Sequence, residues 1–337
     1  MLMTYSITRR ALLAATAALS MVGSAAFAQD KITLRLSSPA SETDQRAVAL
    51  TEVFGPAISD FAEFEPHWNA TLFKQGTELE AIARGNLDMS IASAQELAVF
   101  FPEFSIFTAG YVHQDAAHQV AVFNDPLMDP FKQKVEDELG VKLLTVMYLG
   151  ERHVNVKGDD KIMTPDDLDG VKLRMPGTDA WQFLGRALGA DPVPVAFTEV
   201  YTALQTGAID GQDNPLPTVV DAKFYEVTDQ ISLTAHLVDL NYLAISKEVW
   251  DGLTPEQQES LQQAADDAAQ AGREAQLAKE EELVGFLRDQ GLDVYEPDRD
   301  AFRERVQQMY LESEYAETWP EGVLERINEL GSGGSES

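Results

Sequence analysis

The 337-residue sequence contains no cysteine, which excludes a disulfide framework, a thiolate nucleophile and any thiolate metal site. Positive charge is scarce. Only 25 lysines and arginines stand against 56 aspartates and glutamates, a formal net charge of -31. Such a field repels nucleic acid and anionic head groups, and no basic stretch interleaved with aromatics offers an RNA or DNA surface. Beyond the N-terminal stretch, no segment reaches the roughly 18 consecutive apolar residues of a transmembrane helix. Catalytic signatures are missing too: there is no G-x-S-x-G elbow, no G-x-x-x-x-G-K-[ST] phosphate loop and no H-E-x-x-H. His67, His113, His118, His153 and His236 are scattered, and the step from His113 to His118 does not put two ligands on one helical face. No metal or cofactor is expected.

What is present starts with an export pattern. Arg9 and Arg10 precede a short apolar run and then Ala26-Phe27-Ala28, an A-x-A cleavage signature, so residues 1–28 read as a removed signal of the secretory or twin-arginine type. Removal would leave 309 residues, enough for two domains, with a balance of 23 minus 56, or -33. The 45% hydrophobic content is sufficient for a core that must hold without disulfides.

The chain then alternates short apolar strands with amphipathic helices, the rhythm of an α/β fold. Strands are expected over 31–38, 89–92, 141–149 and 171–175, with another running to Asn214 and Pro215. Helices are expected over 43–62, before Gly85, before Gly140, from Thr178, and between a Thr198 cap and Gly207. From Thr254 a capping box with Gln257 opens more than 30 residues without proline, a helix long enough to cross two domains. The last residues, 331–337, carry nothing that forms a core and read as a flexible tail.

One short run stands out. In "GVKLRMPG", Val171, Leu173 and Met175 share one face of a strand and Lys172 and Arg174 the other, and Pro176-Gly177 ends it. Arg174 therefore sits at a strand's carboxyl end, where open α/β sheets bind ligands. A surface arginine paired with one of many acids is the alternative. Trp181, Leu184 and Leu188 follow helical spacing, which places Trp181 in the core. Phe197 lies in a loop facing the same end of the fold.

The block "EVYTALQTGAIDGQDNP", with the preceding "GVKLRMPGTDAWQFLG" and the following "KFYEVTDQISLTAH" and "SKEVWDGLTPEQQESLQQAA", resembles the substrate-binding proteins of tripartite ATP-independent periplasmic (TRAP) transporters, the DctP-like family. The resemblance implies a two-lobed periplasmic binding protein-like α/β fold with mixed sheets, hinge strands and a long helix spanning both lobes. It implies lobe I from 29–150 plus about 240–275, and lobe II from 151–239 plus about 276–330. A periplasmic, non-enzymatic receptor would close on a small organic acid, a monocarboxylate such as a sugar acid, hydroxy acid or aromatic acid, and deliver it to membrane permease subunits. Arg174 would clamp the carboxylate, with Arg152 beside it, Asn214 hydrogen-bonded to it and Phe197 packed on the ligand. Ser38, Asp44 and Gln95 are candidate lining residues, with Asp239 and Asn241 near the hinge. The sialic-acid-binding members differ where this chain has Ser93, Glu96 and Gly177. A receptor for an ATP-driven importer or sensor, and an exported enzyme acting on an organic acid, are the other readings.

Overall fold

The computed structural model describes residues 31–332; the export signal read over 1–28 lies outside them. Among the described residues nine strands form one mixed sheet: β1 (Ile32–Ser37), β2 (Ala62–His67), β3 (Met89–Ser93), β4 (Val141–Val156), β5 (Lys172–Met175), β6 (Asp191–Pro194), β7 (Gly211–Asn214), β8 (Gln230–Ser246) and β9 (Asp293–Tyr295). Their order is β2-β1-β3-β8-β4-β7-β5-β6, with β9 against β8.

Two parallel groups hang from one antiparallel ribbon. β1 pairs parallel with β2 and β3, and β5 pairs parallel with β6 and β7. The ribbon is made of β4 and β8, 16 and 17 residues long. β3 attaches to Asn241–Ile245 of β8, near one end of the ribbon, while β7 attaches to His153–Val156 of β4, near the other. The pairing slips at Leu143/Thr145, Tyr148/Gly150 and Arg152/Val154, and such bulges bend and twist a ribbon.

The long helix runs Pro255–Asp289, opened by the Thr254–Gln257 capping box. At about 1.5 Å per residue it reaches roughly 50 Å. Leu261, Ala264, Ala265, Ala268 and Ala269 pack into a core with Leu34, Leu36 and Leu243, and Leu287 packs into a second core with Val200, Leu204 and Phe224. One element thus braces both halves of the sheet.

Some local expectations are corrected. The helix expected over 43–62 runs through Gln45–Ala49, a π-type turn Leu50–Phe54 and Gly55–Ala57, and β2 begins at Ala62. Thr198 does not cap its helix; it lies inside the 3-10 turn Phe197–Glu199, before the helix Val200–Thr206. The final helix, Val323–Ser332, takes in the first two residues of the expected tail, and 333–337 lie outside the described residues.

Candidate ligand-binding site

Ser38 just beyond β1, Ser93 ending β3, Arg174 in β5 and Asn214 ending β7 line one cavity of ≈ 90 Å³. Strand carboxyl ends are where open α/β sheets place ligands, and here both halves contribute. The ribbon adds Arg152 from β4 and Asp239 and Asn241 from β8. Space for one water takes about 10–15 Å³ by the same kind of measure, so the cavity holds several waters or a small ligand.

Three arginines line it, and two of them are already paired. Arg46 forks onto Asp44, with Nε to Oδ1 at 2.9 Å and Nη2 to Oδ2 at 2.7 Å, and also donates to Asn241 Oδ1. Burial would raise the Asp44 pKa, but the Arg46 charge and hydrogen bonds from Arg46 and Ala47 hold it below its usual value. Arg152 donates from Nε to Asp213 Oδ2 at 2.7 Å and from Nη1 to Asp239 Oδ2 at 2.9 Å, and its guanidinium carbon lies 4.6 Å from the centre of the Trp181 ring. Burial works against the Asp213 carboxylate, yet Arg152 and His236 hold its pKa well below the normal range.

Arg174 is different. It is 1% exposed and forms no ion pair among the described residues. Its Nε donates to the Val195 carbonyl at 2.8 Å, and Nη2 makes a long 3.4 Å contact with Gln75 Oε1. Burial pushes its pKa down to about 9; the Asp213 charge opposes this and Arg152 reinforces it. The guanidinium stays charged at neutral pH. Phe197 stands nearby, its ring centre 5.9 Å from the guanidinium carbon.

The acids complete the lining. Asp239 is buried, one oxygen on Arg152 and Oδ1 without a partner, and burial raises its pKa despite Arg152. Burial pushes Glu96 and Asp221 each up to about 6. Asn214 Nδ2 donates to Gln212 Oε1 at 2.5 Å.

The cavity therefore brings together Arg174, Arg152, Asn214, Phe197, Ser38, Asp44 and Asp239, with Asn241. Gln95 is not among them: it lies in the short helix Ala94–Leu97, fully buried, and lines a neighbouring cleft with Thr178 and Tyr315. Its amide nitrogen and oxygen are both without partners there. Trp181 serves two ends, packed in the core as expected and also lining the cavity. Sequence reading missed Arg46, Gln75, Thr218 and Asp221. Asp44-x-Arg46 at a helix start was a visible signal for an N-cap carboxylate facing a basic side chain; Gln75 and Thr218 carried none.

Residues 59–317 match the DctP family, described as bacterial extracellular solute-binding protein, family 7. The chain belongs to this family. The sialic acid-binding periplasmic protein SiaP of Vibrio cholerae is 31% identical over 69% of this chain and 72% of its own length. A TRAP periplasmic solute-binding protein from Roseobacter denitrificans, solved with bound 3-deoxy-D-manno-oct-2-ulosonic acid (KDO), is 72% identical with a TM-score of 0.89, covering 90% of this chain and all of that one. Another from the same organism, solved with L-galactonate, is 28% identical with a TM-score of 0.80, covering 89% and 98%. The DctP chain thus has the two-lobed α/β fold of TRAP receptors, and its relatives are periplasmic solute receptors and not enzymes.

Proposed function

We propose that this DctP-family chain captures a sugar acid resembling KDO in the cleft around Arg174, closes on it and hands it to the TRAP membrane permease. The observation that carries this reading is the imbalance among the three arginines: Arg46 and Arg152 have carboxylate partners, and Arg174 has none among the described residues. A guanidinium fork fits a carboxylate in two parallel charge-assisted bonds, and in a dehydrated site that interaction is strong. One cavity arginine without an ion pair among the described residues calls for one carboxylate.

The rest of the lining suits hydroxyls. Asp239 Oδ1, Asp221 and Glu96 are acceptors, and Asn241 and Ser38 add polar contacts. KDO is by its structure a monocarboxylate with a carbonyl carbon at C2 and a hydroxylated chain, which matches one clamp and many acceptors. The bound KDO of the Roseobacter relative supports the same class. Sialic acid fits less well, because the chain departs from the sialic-acid-binding members at Ser93, Glu96 and Gly177; here Glu96 Oε2 accepts the Ser93 amide at 2.9 Å and leaves its other oxygen to the cavity. In closure, lobe I (29–150 plus about 240–275) would move against lobe II (151–239 plus about 276–330), and Arg152 in the ribbon would order the site rather than hold the carboxylate alone.

Thermal-shift measurements on protein stripped of carried-over ligand test the reading. KDO should raise the melting temperature more than galactonate, and neutral sugars should not raise it at all. A panel of sugar acids that leaves it unmoved would overturn the proposal.

A further inference from the structure

Gln75 belongs to the lobe I half of the sheet by position, following β2, yet its contacts are with the other half. Lys74 to Thr77 forms a tight turn, closed by Thr77 N donating to the Lys74 carbonyl at 3.0 Å, and Thr77 Oγ1 donates to the same oxygen at 2.8 Å. Gly76, the third residue of that turn, has φ +85°, the left-handed value a type II turn demands there. This fixes Gln75 at the turn's tip. From there Gln75 Oε1 accepts the Phe197 amide at 2.9 Å and the longer bond from Arg174 Nη2 at 3.4 Å.

The acceptor is neutral, and that matters. A ligand carboxylate competes for Arg174 on better terms than an amide oxygen, since it adds the attraction of opposite charges and can take two parallel bonds from the guanidinium fork. The long Arg174 bond is the one released, while the shorter Phe197 bond keeps the turn across the cleft. Gln75 also lines the mouth beside the cavity, with Glu96 on its own side and Pro176, Thr178, Trp181 and Ala196 opposite.

We infer that Gln75 is a positioning residue that latches the two halves over the Arg174 site: it holds the mouth shut behind the bound carboxylate and so sets the ligand's residence time. The inference rests on the sugar-acid reading for its ligand but not for its mechanics. It assigns Gln75→Ala and Gln75→Glu opposite failures. The alanine loses the clasp, whereas the glutamate offers Arg174 a permanent internal carboxylate.

Stopped-flow kinetics with KDO, read by tryptophan fluorescence on the signal-free chain, should show Gln75→Ala dissociating about tenfold faster, the equivalent of one hydrogen bond, with association changed less than about twofold. Gln75→Glu should lose roughly 30-fold or more in affinity, as expected when a charged partner is already in place. Without any ligand, Gln75→Glu should melt at least about 2 °C higher, because it gives a buried cation its anion. An unchanged ligand-free melting temperature for Gln75→Glu overturns the latch whatever the protein binds. If KDO binds the unaltered protein and Gln75→Ala releases it at the same rate, the latch is overturned and the sugar-acid reading stands.

Discussion

Arg152 and Arg174 are two buried arginines in one cavity, and their surroundings assign them different work. Arg152 satisfies Asp213 and Asp239, so truncating it would strand two buried carboxylates. That mechanism costs about 3–5 kcal/mol. Arg174 forms no ion pair among the described residues, so its truncation strands no buried carboxylate. Arg152→Ala should therefore lower the ligand-free unfolding free energy in urea by about 3–5 kcal/mol, while Arg174→Ala should stay within about 1 kcal/mol of the unaltered protein or exceed it. Equal losses in the two variants would show that Arg174 is also a structural residue. Part of this was legible in the sequence. The Pro-Gly pair after "KLRM" placed Arg174 at a strand end, and the family resemblance supplied Arg152, Asn214 and Phe197. What the sequence could not show is which arginine is already paired, because Asp213 and Asp239 lie 61 and 87 residues from Arg152 along the chain.

At the scale of elements, the β4–β8 ribbon decides how the two halves meet. Its slip at Tyr148/Gly150 falls where Gly150 has φ +131°, and Glu280 of the long helix reaches into that bulge. Glu280 accepts the Tyr148 hydroxyl and the Glu151 amide, both at 2.8 Å. A Cβ on Gly150 would stand 2.3 Å from Glu280 Oε1 and 2.7 Å from Pro215 Cβ. Gly150→Ala should thus cost at least 1–3 kcal/mol from backbone strain, read as a lower urea midpoint, and more where crowding adds to it. A variant as stable as the parent would remove the bulge from the account. Strongly patterned elements such as the long helix and the first part of β4, over 141–149, were readable from periodicity and caps, whereas the continuation of β4 to Val156 was not. β2 was not, because "AEFEPH" is an edge strand with two glutamates and a proline, whose pairing with β1 comes from topology rather than local preference. Gln75 was equally hidden, since a turn's tip carries no sign of what it meets across a cleft.

For the molecule as a whole, buried carboxylates set the pH dependence. Burial and the neighbouring Glu96 charge push Glu78 up to about 8, and burial of the long helix's Glu280 against β4 pushes it up to about 7, from an ordinary value of 4.5. Their acids are protonated in the folded state at a pH where the unfolded chain has released those protons, so unfolding free energy falls as pH rises through this range. Burial lowers His113 and His153 from 6.5 to about 3, which has the opposite slope but only below about pH 6.5, where the unfolded histidines gain protons. The melting temperature should accordingly rise as pH falls from 8.5 to 6.5 and then level off. In a Glu78→Gln, Glu280→Gln double variant the rise should flatten; an unaltered slope there would assign the effect to general repulsion in a chain of net charge -31. The central claim is that Arg174 waits, charged and unpaired, for the carboxylate of a sugar acid. Calorimetric titration of KDO into the unaltered protein, Arg174→Ala and the exposed control Arg186→Ala tests it most directly. The account predicts a loss of roughly 30-fold to several thousand-fold in affinity for Arg174→Ala, the 2–5 kcal/mol of a truncated buried charge pair, with Arg186→Ala unchanged. Equal affinity in Arg174→Ala and Arg186→Ala would contradict it.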